Sequence, residues 1–209
     1  MFLIYDDLCS NIEIKYEYDN INNKIFISKF NNITFISKFI NDINHLFIWL
    51  SRYGYYKIVK ILLKNKRVDP STNRNHAIQV ASCNGYYKIV KLLLKDKRVD
   101  PSDDNNLAIQ WVSENGYYKI VKLLLKDKRI YPNDNYNCAI KVASFNGHFK
   151  IVKLLLKDKR VDPSDDNNFA IKESFKYRYY KVVKLLLKDK RIDKNDQTIK
   201  DIINKLKNI

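Results

Sequence analysis

The sequence predicts an all-α repeat solenoid built from helix-turn-helix units. Three observations support this prediction: glycines recur every 31 residues, prolines keep the same step, and an apolar stripe at helical spacing follows each glycine. The glycines are Gly54, Gly85, Gly116 and Gly147, and the prolines are Pro70, Pro101, Pro132 and Pro163. A fixed period of this length is typical of solenoids, in which each unit exposes an apolar face that only its neighbour can cover.

The first helix of a unit is predicted from a short apolar stretch, Leu107–Val112 in the unit that runs from Ser102 to Pro132. Asn106 precedes it, and we expect the asparagine side chain to accept hydrogen bonds from the free amides of the helix start. Equivalent asparagines are Asn75, Asn137 and Asn168, each followed one residue later by Ala-Ile. The helix should end at Gly116, because glycine readily adopts the positive φ of a tight turn.

The second helix follows the glycine at once. Ile120, Val121, Leu124 and Leu125 form a buried stripe at helical spacing. The cations of Lys126–Arg129 then complement the negative end of the helix. The connector beyond them is rich in Asn, Asp and Ser, a composition typical of turns.

The units resemble ankyrin repeats. The stretch Ala139–Leu156 is similar to the helix, turn and helix signature of that family, including its Gly-His dipeptide at Gly147-His148. The resemblance implies an ankyrin-type helix-turn-helix solenoid with short loop fingers, and the Asn-rich connectors are similar to those of ankyrin repeat proteins of protists and giant amoebal viruses. The family's usual period is about 33 residues, so we expect smaller fingers. The last full unit departs from the pattern, with Arg178 in the glycine slot and Glu173 at an apolar position.

We predict two regions, an N-terminal segment over residues 1–40 and a repeat array over residues 41–209. The array holds about five 31-residue units and a C-terminal capping half-repeat, which the stripe of Ile199, Ile202, Ile203 and Leu206 indicates. Residues 1–40 contain two similar aromatic pieces, 26–30 and 35–39, which fit either a hairpin or a degraded repeat. We expect this segment to cap the apolar first unit.

Catalytic and metal-binding motifs are missing from the sequence. His45, His76 and His148 fall in different units, and the four glycines already serve as repeat turns, so no phosphate-binding loop can be built from them. The aspartate pairs Asp103-Asp104 and Asp165-Asp166 favour turn formation, because a hard cation needs more oxygen ligands than one pair supplies. We therefore predict a protein that is not an enzyme, with no cofactor and no metal.

Composition indicates a chain that stays inside the cell. The three cysteines are scattered and unpaired in sequence, which fits a reducing compartment, and neither a signal peptide nor a membrane span is predicted. We expect a cytoplasmic monomer, in the host cytoplasm if the source is viral, with the nucleus as an alternative. The net charge of +16 belongs to the repeats, because residues 1–50 carry more acidic than basic side chains.

Partner binding is predicted from the positions at which the units differ. These positions lie at the connector tip, on the first helix and near its end, and in ankyrin-like arrays the resemblance implies that they line the concave side, which grips a partner protein. The candidates are Arg74, Gln79, Gln110, Glu114, Tyr136, Lys141, Phe145 and Lys172. Tyr136 and Phe145 are the best anchors, since exposed aromatic side chains tend to dominate interface energies.

Polyanion or nucleic-acid binding is the alternative. Lys57 and Lys60 recur in every unit and would stack into ladders of positive charge along the second helices. Aspartates such as Asp96 interrupt the basic helix ends, however, and lysines also keep an outer helix row soluble. The Lys-Asp-Lys-Arg pieces weakly resemble nuclear-localisation signals, but the charge preference of a helix end explains them as well.

Overall fold

A computed structural model of the chain describes residues 15–19, 24–28 and 43–207. The chain divides into two compact units, Met1–Leu46 and Phe47–Ile209. None of the helices in the described ranges has the length and apolar character that a membrane crossing requires.

The N-terminal unit contains a β-hairpin. Strand β1 (Lys15–Asp19) pairs antiparallel with strand β2 (Lys24–Ser28), and Glu17 lies opposite Phe26. The strand β2 includes the start of the first aromatic piece, whereas the second piece, 35–39, lies outside the described residues. That residues 1–40 act as a cap stays a prediction.

Eleven helices occur in residues 43–207, arranged as repeated pairs. The first helices of the pairs are α1 (Ile43–Arg52), α3 (Thr72–Cys83), α5 (Asp103–Glu114), α7 (Asp134–Phe145) and α9 (Asp165–Lys176). The second helices are α2 (Tyr56–Leu62), α4 (Tyr87–Leu93), α6 (Tyr118–Leu124), α8 (Phe149–Leu155) and α10 (Tyr180–Leu186), and α11 (Gln197–Lys207) follows the last pair. This arrangement confirms the predicted helix-turn-helix solenoid.

The core is continuous along the array because equivalent side chains stack from unit to unit. The alanines of the Ala-Ile pairs are buried where neighbouring first helices pack together. Their small side chains permit that close approach. The Ile, Val and Leu stripes of the second helices are buried in the same way, for example Ile120, Val121 and Leu124 in α6. Neighbouring first helices contact each other more extensively than neighbouring second helices do.

Each first helix from α3 to α9 contains a left-handed backbone turn within its first four residues, and this finding corrects the predicted asparagine cap. Asp104, Asn105 and Asn106 have φ values of 55°, 56° and 58°. Asn106 makes no capping hydrogen bond within its own unit. Its amide group donates to the carboxylate of Asp134, and its side-chain oxygen accepts from the backbone N–H of Tyr131 at 3.0 Å. The prediction was wrong because the partners of Asn106 belong to the following connector. Asn and Asp fill most of these positions since they tolerate the left-handed region better than other L-residues.

The same asparagine bridge joins the other units, and it ends where the full repeats end. Asn137 donates to Asp165 at 2.7 Å and accepts from the backbone N–H of Asp162 at 2.7 Å. Asn168 has the same backbone conformation, but its side-chain oxygen is buried with no hydrogen-bond partner among the described residues. The next helix, α11, begins differently, with Asp196 accepting from the N–H of Ile199 at 3.1 Å. This is an ordinary N-cap.

The repeated glycine is required for two reasons, its backbone conformation and the close approach of a ring from the following unit. Gly116 has φ of 79°, and a Cβ atom placed on it would lie 2.7 Å from Cε1 of His148 in the following unit. In the other pairs a tyrosine ring covers the glycine, as Tyr117 covers Gly85. Arg178 occupies the glycine slot of the last full unit with φ of 62°. The Arg178 side chain is exposed.

Arginine side chains form hydrogen bonds from one unit to the unit before it. Arg129 donates from Nη1 to the backbone carbonyl of Val99, at 2.7 Å, and from Nε and Nη2 to the carboxylate of Asp127. Equivalent pairs are Arg98 with Asp96, Arg160 with Asp158 and Arg191 with Asp189. Arg129 thus contacts a carbonyl of the preceding unit rather than the end of its own helix. Its hydrogen bonds lower the pKa of Asp127, although partial burial opposes that shift.

Candidate protein-binding surface

The candidate surface is formed by the tips of the left-handed turns and by side chains of the first helices. We call it the inner surface, defined by the predicted partner-binding candidates other than the two buried glutamines, namely Arg74, Glu114, Tyr136, Lys141, Phe145 and Lys172. The tip positions are occupied by Arg74, Asn105, Tyr136 and Asn167, all of them exposed. Tyr136 is 78% exposed and is the most exposed large apolar side chain of the described residues. The structure thus places Tyr136 and Arg74 where a partner could reach them.

Gln79 and Gln110 lie beneath this surface. Gln79 is 3% exposed and Gln110 is 6% exposed. Their amide groups donate to the carbonyls of Arg74, at 2.7 Å, and of Asn105, at 2.6 Å. Each glutamine therefore supports the backbone of a tip residue, and its own polar atoms are occupied.

Lys141 and Lys172 replace these glutamines in the later units. The ammonium group of Lys141 lies 3.3 Å from the carboxylate of Asp166 and 5.9 Å from the centre of the Phe169 ring. The Lys141 side chain is only 14% exposed, whereas that of Asp166 is 60% exposed. Lys172 is half-buried. Lysine at this position thus carries positive charge into a site where the earlier units have a neutral amide.

Glu114 and Phe145 stand at the ends of their first helices. Glu114 is exposed. Phe145 is 37% exposed and meets the ring of Tyr177 edge-on, with 4.9 Å between ring centres. This geometry is favourable for an aromatic pair. The Phe145 ring is therefore held in place by the next unit while one side of it stays open.

Tyr131 and Tyr177 were missed by the sequence comparison. Tyr131 is 51% exposed and Tyr177 is 45% exposed. The guanidinium of Arg160 lies 5.6 Å from the centre of the Tyr131 ring. The sequence did contain a signal for Tyr131. In other units an aspartate occupies this connector position and forms a hydrogen-bonded turn, as Asp100 does with Ser102. The connector 131–136 therefore exposes two tyrosines at positions where the fold elsewhere accepts polar residues.

A shallow open depression of about 420 Å³ lies beside this connector. Its lining includes Arg74, Asp104, Asn105, Tyr131 and Asp134. Aromatic, cationic and anionic groups thus meet in one place. Such a mixture suits a protein surface better than an apolar small molecule, which binds in enclosed and mainly apolar cavities.

His148 and Asp103, which were considered above for catalysis and metal binding, make contacts that stabilise the fold. The His148 ring covers Gly116, and its Nε2 atom lies 2.8 Å from the carbonyl oxygen of Glu114. Asp103 accepts from the backbone N–H of Asp104 and from Asn75. Among the described residues, no group of three histidine, cysteine or acidic side chains is arranged to hold a metal ion.

The two cysteines of the described part are free thiols. Burial raises the pKa of Cys83 and also that of Cys138. Since the thiolate is the reactive form, neither side chain is activated as a nucleophile.

The paired helices, the left-handed connectors and the stacked core define a protein of the helical-solenoid class. A family model of ankyrin repeats matches the sequence three times, at residues 24–105, 46–136 and 107–198, well over half of the chain. The chain belongs to the ankyrin repeat family, whose repeats generally mediate protein–protein interactions and are typically non-catalytic. Among curated proteins, no sequence matches it.

Proposed function

We propose that the protein is a non-catalytic interaction scaffold or adaptor that binds a partner protein through the inner surface and the connector tips. Tyr136 carries this proposal. Its backbone is left-handed, with φ of 53°, and its ring is 78% exposed. Both properties are unfavourable for a tyrosine, and the fold accepts asparagine at the equivalent positions 105 and 167. Because an exposed tyrosine in this conformation lowers the stability of the fold, we expect the Tyr136 ring to contact the partner protein.

The charges of the inner surface also favour a protein partner. Arg74 and Glu114 are exposed with opposite signs, and Lys141 lies beside the exposed Asp166. A surface of mixed charge with aromatic anchors resembles the composition of protein interfaces. Gln79 and Gln110 contribute indirectly, because they hold the backbone of the tips that the partner contacts.

We expect Tyr136 and Phe145 to supply most of the binding energy. Phe145 is already ordered by Tyr177, so little side-chain entropy is lost when a partner covers it. Lys172 and Arg74 would then contact the rim. We expect the protein to act as a monomer in the cytoplasm, which is the host cytoplasm if the source is a virus.

The experiment is affinity capture from a lysate of the source cell, with nuclease treatment and at low and high salt. The test variant combines Glu114→Ala, Tyr136→Ala, Lys141→Ala and Phe145→Ala. A matched control replaces four exposed lysines of the second helices, Lys57, Lys88, Lys119 and Lys150, by alanine.

The expected result is a discrete protein that survives nuclease and salt, is retained by the control and is lost with the test variant. Material that disappears with nuclease or salt, and that the test variant captures as well as the wild type does, would contradict the adaptor proposal. Circular dichroism of both variants establishes that the array is folded.

A further inference from the structure

The second helices and the loops after them carry a face that the proposed function does not use. Each of the five units places four exposed lysines there, at positions 0, 3, 7 and 9 of the segment that starts at Lys57 in the first unit. We call this the lysine face. Its members are Lys57, Lys60, Lys64 and Lys66 in the first unit and, in the others, Lys88, Lys91, Lys95, Lys97, Lys119, Lys122, Lys126, Lys128, Lys150, Lys153, Lys157, Lys159, Lys181, Lys184, Lys188 and Lys190.

The charge of this face is not neutralised within the protein. None of its lysines lies within ion-pair distance of a carboxylate in the part of the chain that the structure describes. The aspartates that interrupt the basic segments pair instead with arginines, as Asp127 does with Arg129 at 2.7 Å. The sequence suggested that these aspartates weaken the basic ladders, but the structure shows them bound to side chains outside the lysine face.

The lysine face has the shape of a stripe. A second helix of seven residues is about 10 Å long, and packed helices lie about 10 Å apart. Five units therefore make a stripe about 40 Å long that is about as wide as one second helix with the loop after it, with exposed lysines across each unit. A rod-shaped polyanion can follow this stripe over its whole length, whereas a flat membrane requires a broad face.

We infer that the lysine face binds the phosphate backbone of double-stranded nucleic acid without regard to sequence. A stripe of about 40 Å corresponds to roughly one turn of a duplex. Arginines are the usual bidentate readers of base edges, but those that follow the second helices from α4 onward, Arg98, Arg129, Arg160 and Arg191, donate to backbone carbonyls of the preceding unit. Rings that directly precede the second helices lie against the glycine of the preceding unit, as Tyr117 does against Gly85. One side of such a ring is therefore not available for the base stacking that single strands use. This inference is separate from the proposed protein partner, which uses the other side of the units.

The test is fluorescence anisotropy of a labelled duplex of about 20 base pairs and mixed sequence, titrated with the full-length protein between about 50 and 200 mM NaCl. A ladder here is a row of five equivalent lysines, one from each unit. If each lysine of one ladder neutralises one phosphate, the plot of log K against log salt concentration has a slope of about −4.5, and the slope is steeper if two ladders take part. A second duplex of unrelated sequence should bind equally well.

The matched variants have the same net charge. The ladder variant replaces Lys60, Lys91, Lys122, Lys153 and Lys184 by glutamine, and the control variant replaces Lys176, Lys194, Lys200, Lys205 and Lys207 by glutamine. We expect the ladder variant to lose more than tenfold in affinity at about 50 mM salt and to have a slope smaller in magnitude by about 4.5. The control variant should bind nearly as the wild type does.

Three outcomes would overturn the inference. The first is no duplex binding at about 50 mM salt. The second is an equal loss in both variants, which would make the effect one of net charge. The third is binding to vesicles containing phosphatidylserine in preference to the duplex. The inner-surface variant should bind the duplex normally, since it removes one positive and one negative charge, so failure of either proposal leaves the other testable.

Discussion

Replacing Asn137 by glycine should weaken the junction between the last two full units. Asn137 donates to the carboxylate of Asp165 and accepts from the N–H of Asp162, both at 2.7 Å. A hydrogen bond to a charged group contributes about 1.5–3 kcal/mol and a neutral one about 0.5–1.5 kcal/mol. Because glycine adopts the left-handed backbone freely, the substitution removes the two bonds without adding strain. We expect a loss of about 2–4.5 kcal/mol in the free energy of unfolding.

Asn168 supplies the matched control for this experiment. It is buried to the same extent as Asn137 and has φ of 61°, but its side-chain oxygen has no partner in the described residues. Asn168→Gly should therefore be close to neutral in urea denaturation monitored by circular dichroism, and hydrogen exchange should localise the loss in Asn137→Gly to the units that flank residue 137. Equal destabilisation by the two substitutions would refute the role of the inter-unit bridge.

Three further predictions concern the turn and the arginine fastening. Gly116→Ala should lower the free energy of unfolding by at least about 2 kcal/mol, measured by urea denaturation, because a methyl group meets the His148 ring and the backbone is left-handed. Arg178→Gly should raise the thermal midpoint, and it should raise the free energy of unfolding by about 1 kcal/mol. It removes the strain of a left-handed backbone at an arginine whose side chain is exposed. The Arg129 guanidinium lowers the pKa of Asp127 below 3.8, so its contribution is present above that pH and is lost as the pH falls through the folded-state value. Acid unfolding of Asp127→Asn should accordingly show a smaller loss between neutral pH and pH 3 than the wild type, and an unchanged loss would contradict the pairing.

The periodic features of the fold could be predicted because they depend on local pattern. The 31-residue spacing of the glycines predicted the turn of each unit. The apolar stripe of Ile120, Val121 and Leu124 predicted the second helix and its buried side. The helix α11 was also predictable, since the stripe around Ile199 and Ile202 is buried in it; that it forms a capping half-repeat stays a prediction.

The contacts between units could not be predicted in the same way. Asn106 is a good N-cap residue when its own unit is considered alone, and only the position of the next connector reveals that its partners are Tyr131 and Asp134. Arg129 likewise fits the end of its own helix, but its guanidinium reaches a carbonyl thirty residues earlier. A repeating residue in a solenoid can thus serve its neighbour rather than its own unit.

The candidate site was predictable in position but not in exposure. Variation between units led to Tyr136 and Phe145, which are exposed, and equally to Gln79 and Gln110, which are buried. The difference arises because a glutamine side chain folds back onto the left-handed turn, a conformation that the sequence pattern did not reveal. The exposure of Tyr131 could not be predicted because the equivalent residues of other units, Asp100 and Asp162, form hydrogen-bonded turns.

The most direct test of the protein-binding function is site-specific photocrosslinking. A photoreactive amino acid is placed either at Tyr136 on the inner surface or at Lys122 on the lysine face, and each protein is irradiated in nuclease-treated lysate of the source cell. We predict that position 136 crosslinks to one discrete protein and that position 122 does not. Crosslinks of equal yield and identity at both positions, or no protein crosslink at position 136, would contradict binding through the inner surface.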